Sequence, residues 1–213
     1  MSVTPPQLGR PVGADGEQTR ARIITAAMRC VAENGYSRTT IREIARAADV
    51  TSGSLYHYFP NKSELLDAAV EDIERMAVPR LRAAAAGPGG VVDRLAAVLD
   101  EASRLMREHP HLAAFDRAVR AESNEHPVRG RPEYPGLKAL RGAVAEIIGD
   151  ARTRGALPAD TDVRATVDAI YALTRGLTER AASLGPEAYA ATLASAKDLV
   201  RGTLFVRAAG VRR

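Results

Sequence analysis

At 213 residues the chain can bury a sizeable core, yet it is too short for more than one ordinary domain with a small appendage. Three Phe, no Trp and a composition rich in Ala, Leu, Arg and Glu favour helices over a β-sandwich, and a net charge of +4 permits a polyanionic partner without demanding one. A lone cysteine, Cys30, excludes an internal disulfide framework, and no apolar run reaches membrane-spanning length, so the expectation is an all-α, soluble, cytoplasmic protein without membrane association.

Residues 1–16 are rich in Pro and Gly and nearly devoid of large apolar side chains, which predicts a disordered arm. From Glu17, the residues Ile23, Ile24, Ala27, Met28 and Val31 recur at helical spacing up to Gly35 and predict a first helix. Thr40-Ile41-Arg42-Glu43 has the form of a capping box and opens a short second helix ending near Asp49-Val50. The turn Thr51-Ser52-Gly53-Ser54 leads into a third, very short helix from Ser54 to about Phe59. Pro60 closes it, and Asn61-Lys62-Ser63-Glu64 caps a fourth through Leu65, Leu66, Ala69 and Ile73. The expected division is a DNA-binding head over residues 17–64 and a helical body over 65–213.

The clearest break is Gly87-Pro88-Gly89-Gly90. Beyond it, helices are predicted from Val91 to about His109 and from Pro110 to Glu122, with a loop from Ser123 to Pro135. Three more follow: Gly136 to Arg154, Asp160 to Leu184, and Pro186 to about Ala208. No strand-period segment and no internal repeat is present.

A capped helix, a tight turn and a short second helix with a polar start describe a helix-turn-helix, whose second helix can enter the major groove. Four spaced runs carry a further resemblance: Asn34-Gly35-Tyr36, Thr39-Thr40-Ile41-Arg42-Glu43-Ile44-Ala45, Gly53-Ser54-Leu55-Tyr56-His57-Tyr58-Phe59, and Asn61-Lys62-Ser63-Glu64-Leu65-Leu66. Together, over about Thr19 to Ile73, they resemble the N-terminal domain of the tetracycline-repressor (TetR) family. The resemblance implies a homodimer on palindromic double-stranded DNA, regulating transcription and by default repressing it. It also implies that Tyr56, His57 and Lys62 touch phosphates or bases, with hydroxyl contacts from Thr40, Thr51, Ser52 and Ser54. Many members place a Lys where this chain has Ser52, which removes one charge contact. Arg42 points outward from the second helix towards the backbone of DNA. Thr40 is equally readable as a cap alone, and Leu55, Phe59 and Tyr58 as core.

In the body, Val163, Val167, Ile170, Thr174, Leu177 and Ala181 alternate spacings of four and three, and the next helix offers Leu193, Ala196, Val200 and Thr203. This seam is either half of a four-helix dimer interface or intramolecular core. Gly176 inside it, at a cost of about 1 kcal/mol relative to Ala, marks close packing or a kink. A small-molecule cavity is expected among Leu99, Met106, Phe115, Val144, Ile148, Tyr171, Arg175 and Thr178, although each apolar member also reads as plain core. Asp116 and Arg120 read as a surface i, i+4 pair, while Arg175 would suit an acidic or acyl-thioester ligand. No cofactor and no metal site is expected, since His109 and His111 flank a proline and cannot share one helical face. Nor is there a nucleophile elbow or phosphate loop to support a helical enzyme. A ligand-independent architectural DNA binder is the other alternative, and the large body argues against it.

Overall fold

A computed structural model of the protein describes residues 14–125 and 135–205. Nine α-helices and no strand occur among them: α1 (Ala14–Asn34), α2 (Ile41–Ala47), α3 (Ser52–Tyr58), α4 (Lys62–Ala85), α5 (Val91–Glu108), α6 (Leu112–Glu125), α7 (Pro135–Thr153), α8 (Val163–Ala181) and α9 (Pro186–Arg201). The all-α expectation holds. Most of the arm expected over 1–16 lies outside the described residues, but its last three residues already belong to α1. Of the loop expected over Ser123 to Pro135, α6 takes the first three residues and α7 begins at the last, while 126–134 lie outside the described residues.

The head forms around one cluster. Ile23, Ile24, Ala27 and Val31 of α1 meet Ile44 and Ala45 of α2, Leu55 of α3, and Leu65, Leu66 and Ile73 of α4, all nearly inaccessible to solvent. Cys30 is a small member of this core, and burial pushes its thiol upward, away from the reactive thiolate. The turn joining α2 to α3 closes through a left-handed residue, Asp49 (φ 55°). Val50 N–H donates to the Ala45 carbonyl at 3.0 Å and Asp49 N–H to that of Arg46 at 3.2 Å, the paired bonds of a Schellman ending. Aspartate tolerates this conformation better than most residues with a Cβ. Helix α3 starts at Ser52, not Ser54, because Thr51 Oγ1 accepts the Ser54 N–H at 3.0 Å and serves as the cap.

Helix α4 runs through both parts of the molecule. Leu65 to Ile73 lie in the head cluster, whereas Ala77, Leu81 and Ala85 join a second cluster with Leu95, Val98 and Leu105 of α5 and Val144, Ile147 and Ile148 of α7. At the Gly87–Gly90 break, Gly89 has φ +104°, and a Cβ there would lie 2.8 Å from the Asp93 side chain. Asp93 needs that space, since its carboxylate accepts the Gly90 N–H at 3.1 Å and starts α5. Arg94, only 5% exposed, ties the end of α4 to the bundle by donating to the Ala85 carbonyl and to Asp150 of α7.

Two expectations for the last helices are corrected. Helix α9 ends at Arg201, short of Ala208, because Gly202 turns left-handed (φ 72°) and Thr203 N–H closes back on the Asp198 carbonyl at 2.9 Å. Thr203 is therefore off the helix. The seam of α8 and α9 also faces inward: Val167 belongs to the body core, and Leu177, Leu193 and Ala196 pack with Leu99 in a third cluster. Val163, Ile170 and Val200 lie against the body core, Thr174 is buried, and Ala181 is half-buried. Heptad-like spacing establishes that a helix packs along a face, but not whether the partner is its own chain.

Candidate nucleic-acid interface and ligand cavity

Helix α3 is seven residues long and buries one edge, Leu55 with the capping Phe59. One residue further along its 100° rotation, the opposite edge carries Tyr56, 52% exposed, and His57, also exposed. Thr51 is exposed at its start, and Ser52 and Ser54 are half-buried. Gly53 is exposed, and a Cβ there would meet only Thr51 Oγ1 at 3.8 Å, so nothing in the chain itself requires glycine. On neighbouring α2, Arg42 is exposed, and Arg46, one turn later, presents the same face. Arg46 was not singled out from sequence, although its i, i+4 spacing was a usable signal.

Thr40 is a working cap. Its hydroxyl accepts the Glu43 N–H at 3.3 Å, and Glu43 Oε2 accepts the Thr40 N–H at 2.8 Å. The Thr40 N–H first, and then the Thr40 hydroxyl, which donates to the same Oε2 at 3.0 Å, hold the Glu43 carboxyl below the ordinary glutamate range. The stabilisation of α2 is therefore present above that ordinary range and is lost as pH falls through the lower, folded-state value. An NMR titration of Glu43 should show its midpoint below that of an unpaired glutamate. Thr40→Ala should move it partly back up and cost about 1 kcal/mol; an unmoved midpoint would contradict the box.

Lys62 departs from its expected role. Its ammonium donates to the Tyr36 carbonyl at 2.8 Å and the Thr39 carbonyl at 3.0 Å, and it sits 4.5 Å from the centre of the Tyr36 ring. Two of three N–H groups are thus spent on the α1–α2 connection, and burial lowers the ammonium's pKa. The geometry makes Lys62 a brace for that connection rather than a free phosphate ligand. Thr39, which sequence reading missed as an anchor, is buried beside it, its hydroxyl 2.7 Å from the Gly35 carbonyl.

The body contains a small apolar cavity of about 60 Å³ between five helices. Ile73, Ala77 and Leu81 of α4, Ala102, Leu105 and Met106 of α5, Leu112, Ala113 and Asp116 of α6, Leu140 of α7 and Thr178 of α8 line it. Met106 and Thr178 are where sequence placed them. The other six candidates are not: Phe115 is fully buried in the head core, Val144 and Ile148 are body core, and Leu99 faces α8 and α9. Tyr171 packs half-buried on the body core, and Arg175 is exposed. The expected surface pair is likewise corrected, because Asp116 is 2% exposed. Its Oδ2 accepts from Arg120 Nε at 2.8 Å and lies 2.7 Å from Nη2 in an ion pair, and Arg120 also reaches Glu179 at 3.2 Å. Burial pushes the Asp116 carboxyl upward against the pull of Arg120.

Helix α6 connects cavity and head. While Asp116 lines the cavity, Phe115 and Val119 insert into the head core, and Glu122 accepts the Ser37 hydroxyl at 2.5 Å. No group of three or more His, Cys, Asp or Glu among the described residues is arranged to hold a metal, and no helix among them is long and apolar enough to cross a membrane.

Residues 23–69, from α1 into α4, match the family model for bacterial regulatory proteins of the tetR family. The head is a TetR-family DNA-binding domain. Among curated relatives of this chain, the HTH-type transcriptional regulator TtgR of Pseudomonas putida is 28% identical over 176 residues, 78% of this chain and 81% of that one. The solved structure of Salmonella enterica GusR superposes with a TM-score of 0.67 at 25% identity, covering 94% of this chain and 100% of that one. Bacillus subtilis FadR, solved in complex with stearoyl-CoA, shares the fold with a TM-score of 0.65 at 20% identity, covering 86% of this chain and 98% of that one. The chain is accordingly a DNA-binding regulator of transcription, and relatives such as TtgR are named as regulators rather than enzymes.

Proposed function

We propose that the protein is a ligand-responsive repressor that binds a palindromic operator as a homodimer and is released when a small molecule occupies the α4–α8 cavity. The observation that carries this reading is the outward face of α3. Tyr56 and His57 project from a helix whose other edge is sealed, beside the exposed Arg42 and the hydroxyls of Thr40, Thr51, Ser52 and Ser54. Such a helix suits the major groove, with hydroxyls and helix-start amides meeting phosphate. Gly53 supports the same reading, since a missing side chain on an exposed surface lets another backbone approach closely.

A second copy fits the outer face of α8 and α9. Ala165, Ala169, Ala172 and Gly176 lie exposed at spacings of four, three and four, with nothing within 4 Å of a Cβ at Gly176. Nearby, Leu199, Leu204 and Phe205 are 46%, 42% and 85% exposed. Small side chains permit close helix approach, and the apolar ones reward burial across a twofold axis. Release follows if the ligand prefers a conformation in which α6 has shifted against α1, moving paired α3 helices off successive grooves about 34–36 Å apart. Operator DNA must then weaken ligand binding by the same factor.

The test is selection of bound sequences from random DNA, followed by affinity measurements at fixed salt. A preference of roughly 10³ or more for one inverted repeat is expected. Tyr56→Ala and Gly53→Ala should each lower that affinity about tenfold or more while leaving the circular-dichroism spectrum and melting unchanged or, for Gly53→Ala, raising stability by up to about 1 kcal/mol. Equal affinity for all sequences would indicate an architectural binder instead.

A further inference from the structure

Among the described residues, Asp116 is the only charged group on the cavity wall, and one of its oxygens is incompletely used. Oδ2 holds both contacts from Arg120, whereas the buried Oδ1 has no hydrogen-bond partner among the described residues. Folded proteins rarely leave a buried acceptor unpaired, because such a group forfeits its hydration without replacement. Two donors near this wall are engaged elsewhere. Arg120 Nη2 is already shared with Glu179, and the Thr178 hydroxyl, the other polar group on the wall, donates to the Thr174 carbonyl at 3.2 Å. The remaining wall is Ile, Ala, Leu and Met.

We propose that the cavity selects an effector with an apolar body and one hydrogen-bond donor, a hydroxyl or an amine N–H, that donates to Asp116 Oδ1. This rests on the reading of the cavity as the effector site. The donor needs no positive charge, since Arg120 neutralises Asp116, and Glu179 is met by Arg120 and, at 3.9 Å, by Arg117. A carboxylate would set oxygen against oxygen and is rejected, which reverses the acidic ligand expected from Arg175. At about 60 Å³ the cavity is smaller than the roughly 150 Å³ that accommodates benzene, so entry of a single ring displaces wall side chains. Half-buried Met106, unbranched and flexible, is the wall residue best able to yield.

The experiment uses the full chain without DNA and four one-ring probes, phenol, toluene, acetophenone and benzoate, followed by calorimetry at millimolar concentration. Phenol should bind roughly tenfold to a hundredfold more tightly than toluene, and benzoate should not bind. In Asp116→Asn the amide oxygen stays with Arg120 and the NH2 takes the place of Oδ1, so acetophenone should gain on toluene and phenol should lose its advantage. Equal affinity for phenol and toluene in the natural chain, as a resident water on Oδ1 would produce, overturns the proposal, as does tighter binding of benzoate or no binding of phenol. The two readings fail separately. If phenol is preferred but no ring probe alters operator affinity, ligand-responsiveness fails and the donor preference stands; if operator release is obtained with probes that show no donor preference, only the donor preference fails.

Discussion

Arg120→Ala should destabilise the protein by about 3 kcal/mol or more at neutral pH, because it leaves the Asp116 carboxylate charged, buried and unpaired. The side chains of Asp116 and Arg120 are 3% and 19% exposed, so solvent screens little of their attraction. The loss should shrink in acid. Burial already raises the Asp116 carboxyl, and without Arg120 it rises further, so the folded state binds its proton more tightly than the unfolded chain. Stability contributed by the protonated group is then fully present below the ordinary aspartate range and is lost as pH rises through the elevated folded value. Urea denaturation of natural and variant chains at about pH 5 and pH 7 checks both size and sign. Asp116→Leu combined with Arg120→Met should recover much of the loss, since an apolar pair needs no desolvated charge. A single-variant cost below about 1 kcal/mol, or one that grows in acid, would show that the pair is solvated.

Phe115→Ala should cost about 3–5 kcal/mol, the range for emptying a fully buried aromatic site. The ring belongs to α6, yet it is 0% exposed within the head cluster, so its loss removes packing between the two parts of the molecule and not merely within one. Besides a lower denaturation midpoint, hydrogen exchange should quicken along α1, where Ile23, Ile24 and Ala27 face the same cluster. If the cost is near that of a surface site and α1 exchange is unchanged, α6 does not anchor the head, and the proposed route from cavity to DNA loses its mechanical link.

These expectations concern residues whose roles differed in legibility. Thr40 and Asn61 were readable as caps because a cap engages amides two or three residues away, all visible in one short window. Tyr56 was singled out by the family resemblance, and its exposure agrees, since α3 spans two turns and Leu55 and Phe59 claim its inner edge. The bracing contacts of Lys62 were missed for the opposite reason. Its partners are carbonyls 26 and 23 residues earlier, so a long cation near a helix start looked solvent-facing until the chain was folded back on it.

The body repeats that contrast at larger scale. Gly87–Gly90, Gly155 and Gly185-Pro186 punctuate the chain where the helices do break, because φ freedom and a missing proline N–H act locally. Local chemistry and periodicity were thus enough to specify that these helices form and roughly where they break, though not every boundary. Tertiary packing alone decided that the α8–α9 seam turns inward and leaves the alanine face outside, that Phe115 serves the head, and that Asp116 is buried beside a cavity with one oxygen unanswered. Periodicity specifies that a side is covered, whereas the identity of the cover depends on segments brought together from across the chain.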